Sequence, residues 1–308
     1  MTTNKLDKKG YSFAIEQKYC PETPVSVVGA SGEDALEFLQ GQFTQDLSKL
    51  ADKAIAYGFL LTQKGRVLGD AYLRRIGAEE WQIISWSLSA DELIGRLDAY
   101  IIADDVELED ITEGWRGWRV GGADVGQAWG EAKADDLIIL AMGTGVAMPW
   151  RVIVASPGLE PAWAEGWEPA PREVFEALRI AAGWPLVPVD LGPDDFPQEG
   201  GRHLAGVSFT KGCYLGQEVM ARLAATGRVR RGLAVVGAHG STPVGELKLS
   251  QGDRAIGELR SRVAVPAGGW IGLAMLQLAH FDASQPLATN EGLAVGFVGM
   301  VGADSSSG

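Results

Sequence analysis

The sequence predicts a protein of mixed α and β structure that is followed by a smaller all-β unit. The chain has 308 residues, of which 46% are hydrophobic and 22% are charged, and these values are typical of a globular protein of about two domains. Up to about residue 228, short strand-like runs are interspersed with segments whose apolar residues recur at helical spacing. From Gly232 to Val301, short apolar runs are separated by glycine-rich turns, a pattern typical of a small antiparallel barrel.

The charge, the hydropathy and the cysteine content argue against several classes of protein. The net charge of −13 disfavours direct, non-specific binding to nucleic acid or to an anionic membrane. No apolar run reaches the roughly 18 residues of a membrane span, and the polar start of the chain lacks the apolar segment of a secretory signal. The two cysteines, Cys20 and Cys213, are too far apart in sequence to suggest a disulfide scaffold, so we predict a cytoplasmic protein.

The residues that commonly bind metals are also too few for a resident metal site. Two cysteines and three scattered histidines show no spacing typical of metal ligands. They also fall short of the four cysteines that usually hold an iron–sulfur cluster within one chain. We therefore predict that the chain has no stable metal site of its own.

The first elements of the chain follow from local pattern. Residues 1–24 are predicted to be a loosely packed lead-in, and Val25 begins a short strand. Ser31 has the residue type of a helix N-cap, and the helix that follows is predicted to stop at Gly41. Its predicted buried face consists of Ala35, Leu36 and Leu39.

Later segments of the first part show similar signals. Residues 57–61 and 67–73 are predicted to form a hairpin, since the loop between them has a suitable length. A strand at 81–86 and a helix at 90–102 follow. Short strands then extend to about residue 155, and a connection rich in proline, tryptophan and glutamate leads to a helix at 172–182.

The segment from Val207 to Leu223 combines reactive side chains with glycines. Its pattern predicts a loop, a tight turn and a helix that opens near Gly216 or Gln217. Unpaired N–H groups at the start of a helix, together with the nearby Lys211, would favour the thiolate form of Cys213. The alternative interpretation is that Cys213 is a small buried residue before an ordinary helix.

The string from Lys211 to Glu218, Lys-Gly-Cys-Tyr-Leu-Gly-Gln-Glu, resembles the signature of the YgfZ family of folate-binding proteins. These proteins are relatives of the aminomethyltransferase (T-protein) of the glycine cleavage system. Further similarity occurs at residues 38–46, 62–70, 198–223 and 252–261. The resemblance implies an α+β body at 1–228 with a central folate cleft, a C-terminal β-barrel at 229–302, and a short tail, 303–308, that we predict to be disordered.

The same resemblance implies roles for the residues of this string. Lys211 and Cys213 would be the working pair at the rim of the folate cleft, with the lysine holding negative charge or keeping the thiolate. Gly212 and Gly216 would let the backbone approach the ligand closely. The remaining predicted ligand-binding residues of the string and its helix are Tyr214, Gln217, Glu218 and Arg222, of which Glu218 and Arg222 have the spacing of an ion pair.

Two carboxylates outside this string are also candidates. In the aminomethyltransferases an aspartate after the corresponding hairpin turn lies near the folate, and the resemblance carries this role to Asp70. A polar residue on the solvent face of a strand is the alternative for Asp70. The glutamate that binds the pterin in those enzymes matches Ala181 here, which argues against glycine-cleavage activity, and Glu199 is the nearest candidate to replace it.

A cluster of arginines follows the string in an otherwise acidic chain. It would contact the anionic tail of a folate or an RNA phosphate, or it would form an ordinary solvated face. The four arginines are Arg222, Arg228, Arg230 and Arg231.

We therefore expect a folate-binding, YgfZ-like protein that supports iron–sulfur cluster assembly or repair and thereby affects tRNA modification indirectly. Its cofactor would be tetrahydrofolate or a derivative, and its partners would be iron–sulfur assembly proteins or cluster enzymes. The second hypothesis is a tetrahydrofolate-dependent aminomethyltransferase or amine demethylase, with Asp70 stabilising developing positive charge. A third is a partner-binding scaffold whose cleft is empty.

Overall fold

The computed structural model describes residues 15, 17–121, 137–140, 150–159, 163, 165–201, 206–227, 229–265 and 268–302. The predicted disordered tail and Arg228 lie outside the described residues. Within these ranges, no helix has both the length and the apolar character that crossing a membrane requires.

The first sheet is antiparallel and has the strand order β3-β4-β5-β2-β6. The predicted hairpin is confirmed, because β3 and β4 pair directly and are joined by residues 62–66. Alternate residues along these strands face opposite sides of the sheet, so the sheet can pack on both faces. The strands are β2 (Ser26–Ser31), β3 (Ile55–Leu61), β4 (Val67–Arg75), β5 (Glu80–Ser85) and β6 (Glu107–Asp110).

Helices α1 (Ala35–Gln42) and α2 (Ala90–Asp98) cover one face of this sheet. Helix α2 begins with a capping box, in which the Ser89 hydroxyl accepts from the N–H of Glu92 and the glutamate accepts from the N–H of Ser89. The N-cap prediction for the first helix was wrong. Ser31 is the last residue of β2 and pairs with neighbouring strands, so α1 begins three residues later, after Asp34.

The second sheet has the order β10-β1-β7-β9-β8 and joins distant parts of the chain. The prediction that residues 1–24 are a loosely packed lead-in was wrong for its end, because β1 lies inside this sheet between β10 and β7. The run is only four residues long and is bounded by a proline, so it carries little strand signal of its own. The strands are β1 (Lys18–Pro21), β7 (Arg116–Gly121), β8 (Leu137–Leu140), β9 (Trp150–Ala155) and β10 (Glu168–Pro169).

Among the described residues between the second sheet and the barrel are three helical segments. Helix α3 (Arg172–Ala181) confirms the helix predicted at 172–182 and contacts two strands of the barrel. A 3₁₀ helix (Pro197–Gly200) and helix α4 (Gln217–Thr226) follow. Helix α4 begins where the sequence predicted, with Gly216 as its N-cap residue.

The C-terminal part is a closed antiparallel barrel with the order β11-β14-β13-β12-β15-β16, as predicted. Closure leaves no unpaired sheet edge. The strands are β11 (Arg231–Ala238), β12 (Leu247–Gln251), β13 (Arg254–Ala264), β14 (Trp270–Gln277), β15 (Leu287–Thr289) and β16 (Ala294–Met300).

One large hydrophobic core joins the two sheets, α3 and one side of the barrel. Phe59 from the first sheet, Val152 from the second, Phe175 from α3 and Ile271 from the barrel all belong to it and are nearly fully buried. Since the barrel shares this core with the body, the two parts stabilise each other. A cleft between the two sheets lies within this core.

Candidate functional site

A cleft lies between the two sheets and has an empty volume of about 480 Å³, with open solvent at its mouth included. Most of its wall is apolar, and the ionisable side chains among its lining residues are Glu22, Asp70 and Arg119. Apolar walls with a few fixed polar groups are typical of small-molecule sites. The remaining lining residues are Ala71, Tyr72, Ile84, Trp86, Val152, Trp184, Leu186 and Val187.

Asp70 lies on β4 and is half-buried. The Tyr57 hydroxyl donates to its Oδ2 at 2.7 Å. Its main chain is fixed as well, because its N–H donates to Ser87 Oγ at 2.9 Å and its carbonyl accepts from the Ser85 hydroxyl at 2.8 Å. Asp70 therefore lies in the cleft wall, and its contact with a ligand remains a prediction.

The neighbouring Gly69 explains why the carboxylate is at position 70. A Cβ atom at Gly69 would lie 2.4 Å from Leu88 Cδ1, inside the core that α2 covers. Position 69 therefore faces the helix-covered side of the sheet and has no room for a side chain. Because side chains alternate along a strand, Asp70 faces the cleft.

Aromatic rings and a short loop after α3 form much of the cleft wall. The rings of Tyr72 and Trp86 pack edge to face with centroids 6.0 Å apart, and the Tyr57 and Trp184 centroids are 6.1 Å apart. Arg179, which is 1% exposed, holds the loop by donating to the Trp184 carbonyl at 2.6 Å and to Asp190 Oδ2 at 2.8 Å. A buried arginine thus fixes the position of an aromatic wall residue.

A buried charge network lies at one end of the cleft. Arg119 is 2% exposed and donates to Glu22 Oε1 at 2.7 Å and to the Glu176 carboxylate. Burial would lower the pKa of Arg119, but these two carboxylates raise it above its ordinary value. Burial would raise the pKa of Glu176, yet Arg179 and Arg119 hold it below its ordinary value. Arg119 and Glu176 therefore both stay ionised.

The segment 207–216, which we term the signature loop, is anchored by Lys211. This side chain is 8% exposed, and its ammonium donates to the main-chain carbonyls of Gln40, Phe43 and Gln45 at 2.6, 2.7 and 2.8 Å. All three ammonium protons therefore have carbonyl acceptors. Burial lowers the pKa of Lys211 to about 8, while Asp46 acts in the opposite direction.

Three of the stretches that carry the family resemblance meet at this anchor. The carbonyls around Lys211 belong to the stretch 38–46, and the Leu215 N–H donates to the Gly41 carbonyl of the same stretch at 3.1 Å. The hairpin loop 62–66 packs on the start of α4. Gly65 has a φ of +72°, and a Cβ atom there would lie 3.1 Å from Val219 Cβ. These motifs therefore form one structural unit.

The predicted working pair of Lys211 and Cys213 is not what the geometry supports. The Lys211 ammonium is buried against carbonyls, whereas Cys213 is exposed. The alternative prediction, that Cys213 is a small buried residue, is also wrong, because Cys213 is exposed. Cys213 thus presents a thiol to solvent from a loop whose exposed residues also include Phe209, 43% exposed.

The other residues predicted from the string do not line the cleft. Gly216 has a φ of +83°, and a Cβ atom there would lie 2.6 Å from the Thr62 carbonyl oxygen, so its close approach is to the hairpin. Gly212, in contrast, has open space at its Cβ position. Tyr214 is buried, which raises its pKa to about 12, and its ring lies 5.2 Å from the Lys211 ammonium.

The predicted helical ion pair is present, since Arg222 donates to Glu218 Oε1 at 2.7 Å. Both side chains are exposed, as expected for a surface pair. Gln217 is the first residue of α4, and its N–H donates to the Tyr214 carbonyl. The structure places these residues on the surface of α4 and outside the lining of the cleft. Their predicted contacts with folate remain predictions.

Glu199 lies where the body meets the barrel. It is 4% exposed, and Arg231 donates to both of its oxygens, at 3.1 and 2.8 Å. Its Oε2 also accepts from the Phe196 N–H at 2.9 Å. Glu199 is thus occupied by a structural ion pair outside the cleft lining, which weakens its predicted role as a substitute for the pterin-binding glutamate.

Sequence reasoning missed Glu22 and Arg119 as site residues. They are 97 positions apart, and only the pairing of β1 with β7 brings them together. One signal was available, because Arg119 interrupts the apolar run from Trp118 to Val120, and a charge inside a buried strand requires a partner. In the described ranges, no cluster of three or more histidine, cysteine, aspartate or glutamate residues is arranged to hold a metal ion.

Two family models match the chain. The model for the GCVT N-terminal domain matches residues 24–137, which contain the first sheet and part of the second. The model described as the CAF17 C-terminal beta-barrel domain matches residues 230–297, which form the closed barrel. The domain order is therefore the same as that of the structural units.

Curated relatives resemble the chain in sequence, and a solved structure resembles it in fold. The chain is 25% identical over 236 residues to "Iron-sulfur cluster assembly factor IBA57 homolog, mitochondrial" of Cryptococcus neoformans, covering 67% of this chain and 62% of that protein. It is also 25% identical to "tRNA-modifying protein YgfZ" of Sodalis glossinidius, covering 74% of each. The crystal structure of the glycine cleavage system aminomethyltransferase T from Bartonella henselae superposes with a TM-score of 0.74 over 96% of this chain and 88% of that one, at 16% identity.

Proposed function

We propose that the chain is a YgfZ-like relative of the aminomethyltransferases that binds a reduced folate and supports iron–sulfur cluster assembly, because it matches the models of a GCVT N-terminal domain and a CAF17 C-terminal barrel in this order. The folate would lie in the cleft between the sheets. The chain spans about 62% of the length of the IBA57 relative, so any likeness in activity to that whole protein is part of the proposal.

The observation that carries the proposal is the cleft itself. Aromatic and aliphatic walls such as Tyr72, Trp86 and Trp184 are the kind of surface on which a flat bicyclic ring packs. Hydrogen bonds hold both the main chain and the carboxylate of Asp70 in the cleft wall. A fixed carboxylate among apolar walls favours a ligand that carries N–H donors, and reduced folates carry several.

The exposed thiol supplies the second part of the proposal. Cys213 lies in the signature loop, which Lys211 anchors from beneath. An exposed thiol on an anchored loop is positioned for transient contact with a thiol-ligated cluster or with a protein that carries one. The cluster would be cargo, because two cysteines do not form an ordinary cluster site. An influence on tRNA modification would then follow indirectly, through enzymes that depend on such clusters.

Cells that lack this chain provide the test. They are complemented with the wild type, with Cys213→Ser or with Asp70→Asn, and the activity and cluster content of an iron–sulfur enzyme are measured. Thr210→Ala is a matched control, because it is an exposed substitution in the same loop. We expect both site variants to fail and the control to complement. Full complementation by Cys213→Ser would refute the role of the thiol, and normal cluster content without the chain would refute the assembly function.

The alternative function is a tetrahydrofolate-dependent aminomethyltransferase, and the position of Asp70 in the cleft favours it. In such a reaction the carboxylate would stabilise positive charge that develops on the folate nitrogens. Purified protein would then convert an aminomethylated donor and tetrahydrofolate to methylenetetrahydrofolate, ammonia and the free donor, which regains a proton. Turnover that Asp70→Asn abolishes would favour this enzyme, whereas folate binding without turnover favours the assembly role.

A further inference from the structure

We propose that Glu22 is the residue that recognises the 2-amino-4-oxopyrimidine edge of the folate. This inference rests on the proposed function and adds a specificity-determining residue to it. Its basis is the geometry of the charge network at the end of the cleft.

Glu22 is held rigidly at the cleft. Its N–H donates to the Gly117 carbonyl at 2.7 Å, and its own carbonyl accepts from Trp86 Nε1 at 3.1 Å. A Cβ atom at Gly117 would lie 2.4 Å from the Glu22 carbonyl oxygen, so the close approach of these two segments depends on that glycine. Glu22 lines the cleft together with Trp86, one of its aromatic walls. Such fixed polar groups determine the orientation of a bound ligand.

The carboxylate keeps the capacity to accept hydrogen bonds. Oε1 accepts from Arg119, while Oε2 lies 3.6 Å from a guanidinium nitrogen of the largely exposed Arg172, beyond good hydrogen-bond distance. Each carboxylate has about four lone-pair sites, so most of this group remains available. Arg119, in contrast, is occupied by Glu22 and Glu176 together.

Glu22 is the end of the charge network that meets the cleft. From the cleft inwards, the ion pairs run from Glu22 to Arg119, to Glu176, to Arg179 and to Asp190, and Arg172 lies 3.6 Å from Glu22 on its exposed side. Three carboxylates therefore face three guanidinium groups. Among these carboxylates Glu22 is the one that lines the cleft, and its second cation, Arg172, is largely exposed and screened by solvent, so the Glu22 carboxylate can accept from a neutral pair of donors in the cleft.

The folate ring carries a matching group. The pyrimidine edge of a folate presents the 2-amino N–H and the ring N3–H side by side, and this pair of donors fits one carboxylate in a bidentate arrangement. The pterin-binding glutamate of the aminomethyltransferases is matched by Ala181 here, and Glu199 is held by Arg231. Glu22 supplies a carboxylate from the residue that follows β1, on the cleft side of the network.

The test is a cycle between a variant and a modified ligand. Binding of tetrahydrofolate and of its 2-deamino analogue is measured calorimetrically for the wild type, Glu22→Gln and Glu176→Gln. Glu176→Gln is the matched control, because it removes the other carboxylate partner of Arg119 but does not line the cleft. We expect Glu22→Gln to weaken tetrahydrofolate binding about tenfold or more while changing binding of the analogue by less than about twofold. Glu176→Gln should affect both ligands equally.

Each contrary result has a distinct meaning. Equal weakening of both ligands by Glu22→Gln, or no weakening, would overturn the role of Glu22 while leaving folate binding intact. Absence of binding to the wild type would instead refute the proposed function, and this inference with it. A thermal melt will reveal whether Glu22→Gln unfolds. In that case Glu22→Asp replaces it, because aspartate keeps the charge beside Arg119 but withdraws the carboxylate by one methylene. We expect Glu22→Asp to lose the same discrimination between tetrahydrofolate and its 2-deamino analogue.

Discussion

The carbonyl cage around Lys211 makes a quantitative prediction for Lys211→Met. The substitution removes three charge-assisted hydrogen bonds, to the carbonyls of Gln40, Phe43 and Gln45, and fills the space with an apolar chain of similar length. Each buried carbonyl left without a donor costs about 1–3 kcal/mol, while the variant no longer desolvates an ammonium. We expect a net loss of about 3 kcal/mol in the free energy of unfolding.

The assay is urea unfolding followed by tryptophan fluorescence at pH 7, with the exposed hairpin residue Lys64→Met as the matched control. The control should change stability by less than about 0.5 kcal/mol. If Lys211→Met were as stable as the control variant, Lys211 would not anchor the signature loop. The prediction that Lys211 is the working partner of Cys213 would then regain support.

The pH dependence provides a second check with a defined sign. Burial lowers the pKa of Lys211 from 10.5 to about 8, so between these values the folded state releases a proton that the unfolded state still binds. Stability from this group therefore rises with pH across that window, by at most about 1.4 kcal/mol per pH unit, and is lost as pH falls through about 8. The free energy of unfolding of the wild type should therefore exceed that of Lys211→Met by a margin that widens as the pH rises from 8 to 10.5. A difference that narrows from pH 8 to 10.5 would refute the effect of burial.

Three further predictions concern stability and reactivity. Gly216→Ala should destabilise the protein by more than about 2 kcal/mol, because the backbone is left-handed and the new Cβ atom meets a carbonyl, whereas Gly212→Ala, with open space, should be nearly neutral in the same melts. Equal effects would contradict the geometry. Glu199→Gln should cost about 1–2 kcal/mol in urea unfolding, since the partly exposed Arg231 guanidinium keeps Asp195 as its remaining carboxylate partner, and a change under about 0.5 kcal/mol would count against the pair of Glu199 and Arg231. Cys213 should react with maleimide in the native protein long before Cys20, whose burial raises its pKa to about 11. Mass spectrometry of the labelled peptides checks this order, and earlier labelling of Cys20 would contradict the exposure of Cys213.

Local pattern was sufficient to predict much of the fold. The hairpin of β3 and β4, helix α3 and the start of α4 follow from hydrophobic periodicity and glycine positions, and they were confirmed. Strand β1 was missed because four residues next to a proline gain their strand conformation from pairing with β7 and β10, which lie far along the chain. Long-range pairing of this kind leaves no local signal.

The site was predictable only in part, for a related reason. Asp70 could be found because the hairpin that carries it is local, and Gly69 fixes the face on which it lies. Proximity in sequence was misleading for Lys211 and Cys213, since a loop can direct one side chain into the core and a neighbour into solvent. Glu22 became a candidate only once the second sheet had placed it beside Arg119.

The central claim is that a reduced folate binds between the two sheets, against Asp70. The most direct measurement is calorimetric titration of tetrahydrofolate into the wild type, Asp70→Asn and the exposed control Asp91→Asn. We predict saturable binding at one site, weakened about tenfold or more by Asp70→Asn and unchanged by Asp91→Asn. No binding of any reduced folate to the wild type, or equal binding to Asp70→Asn, would contradict the claim.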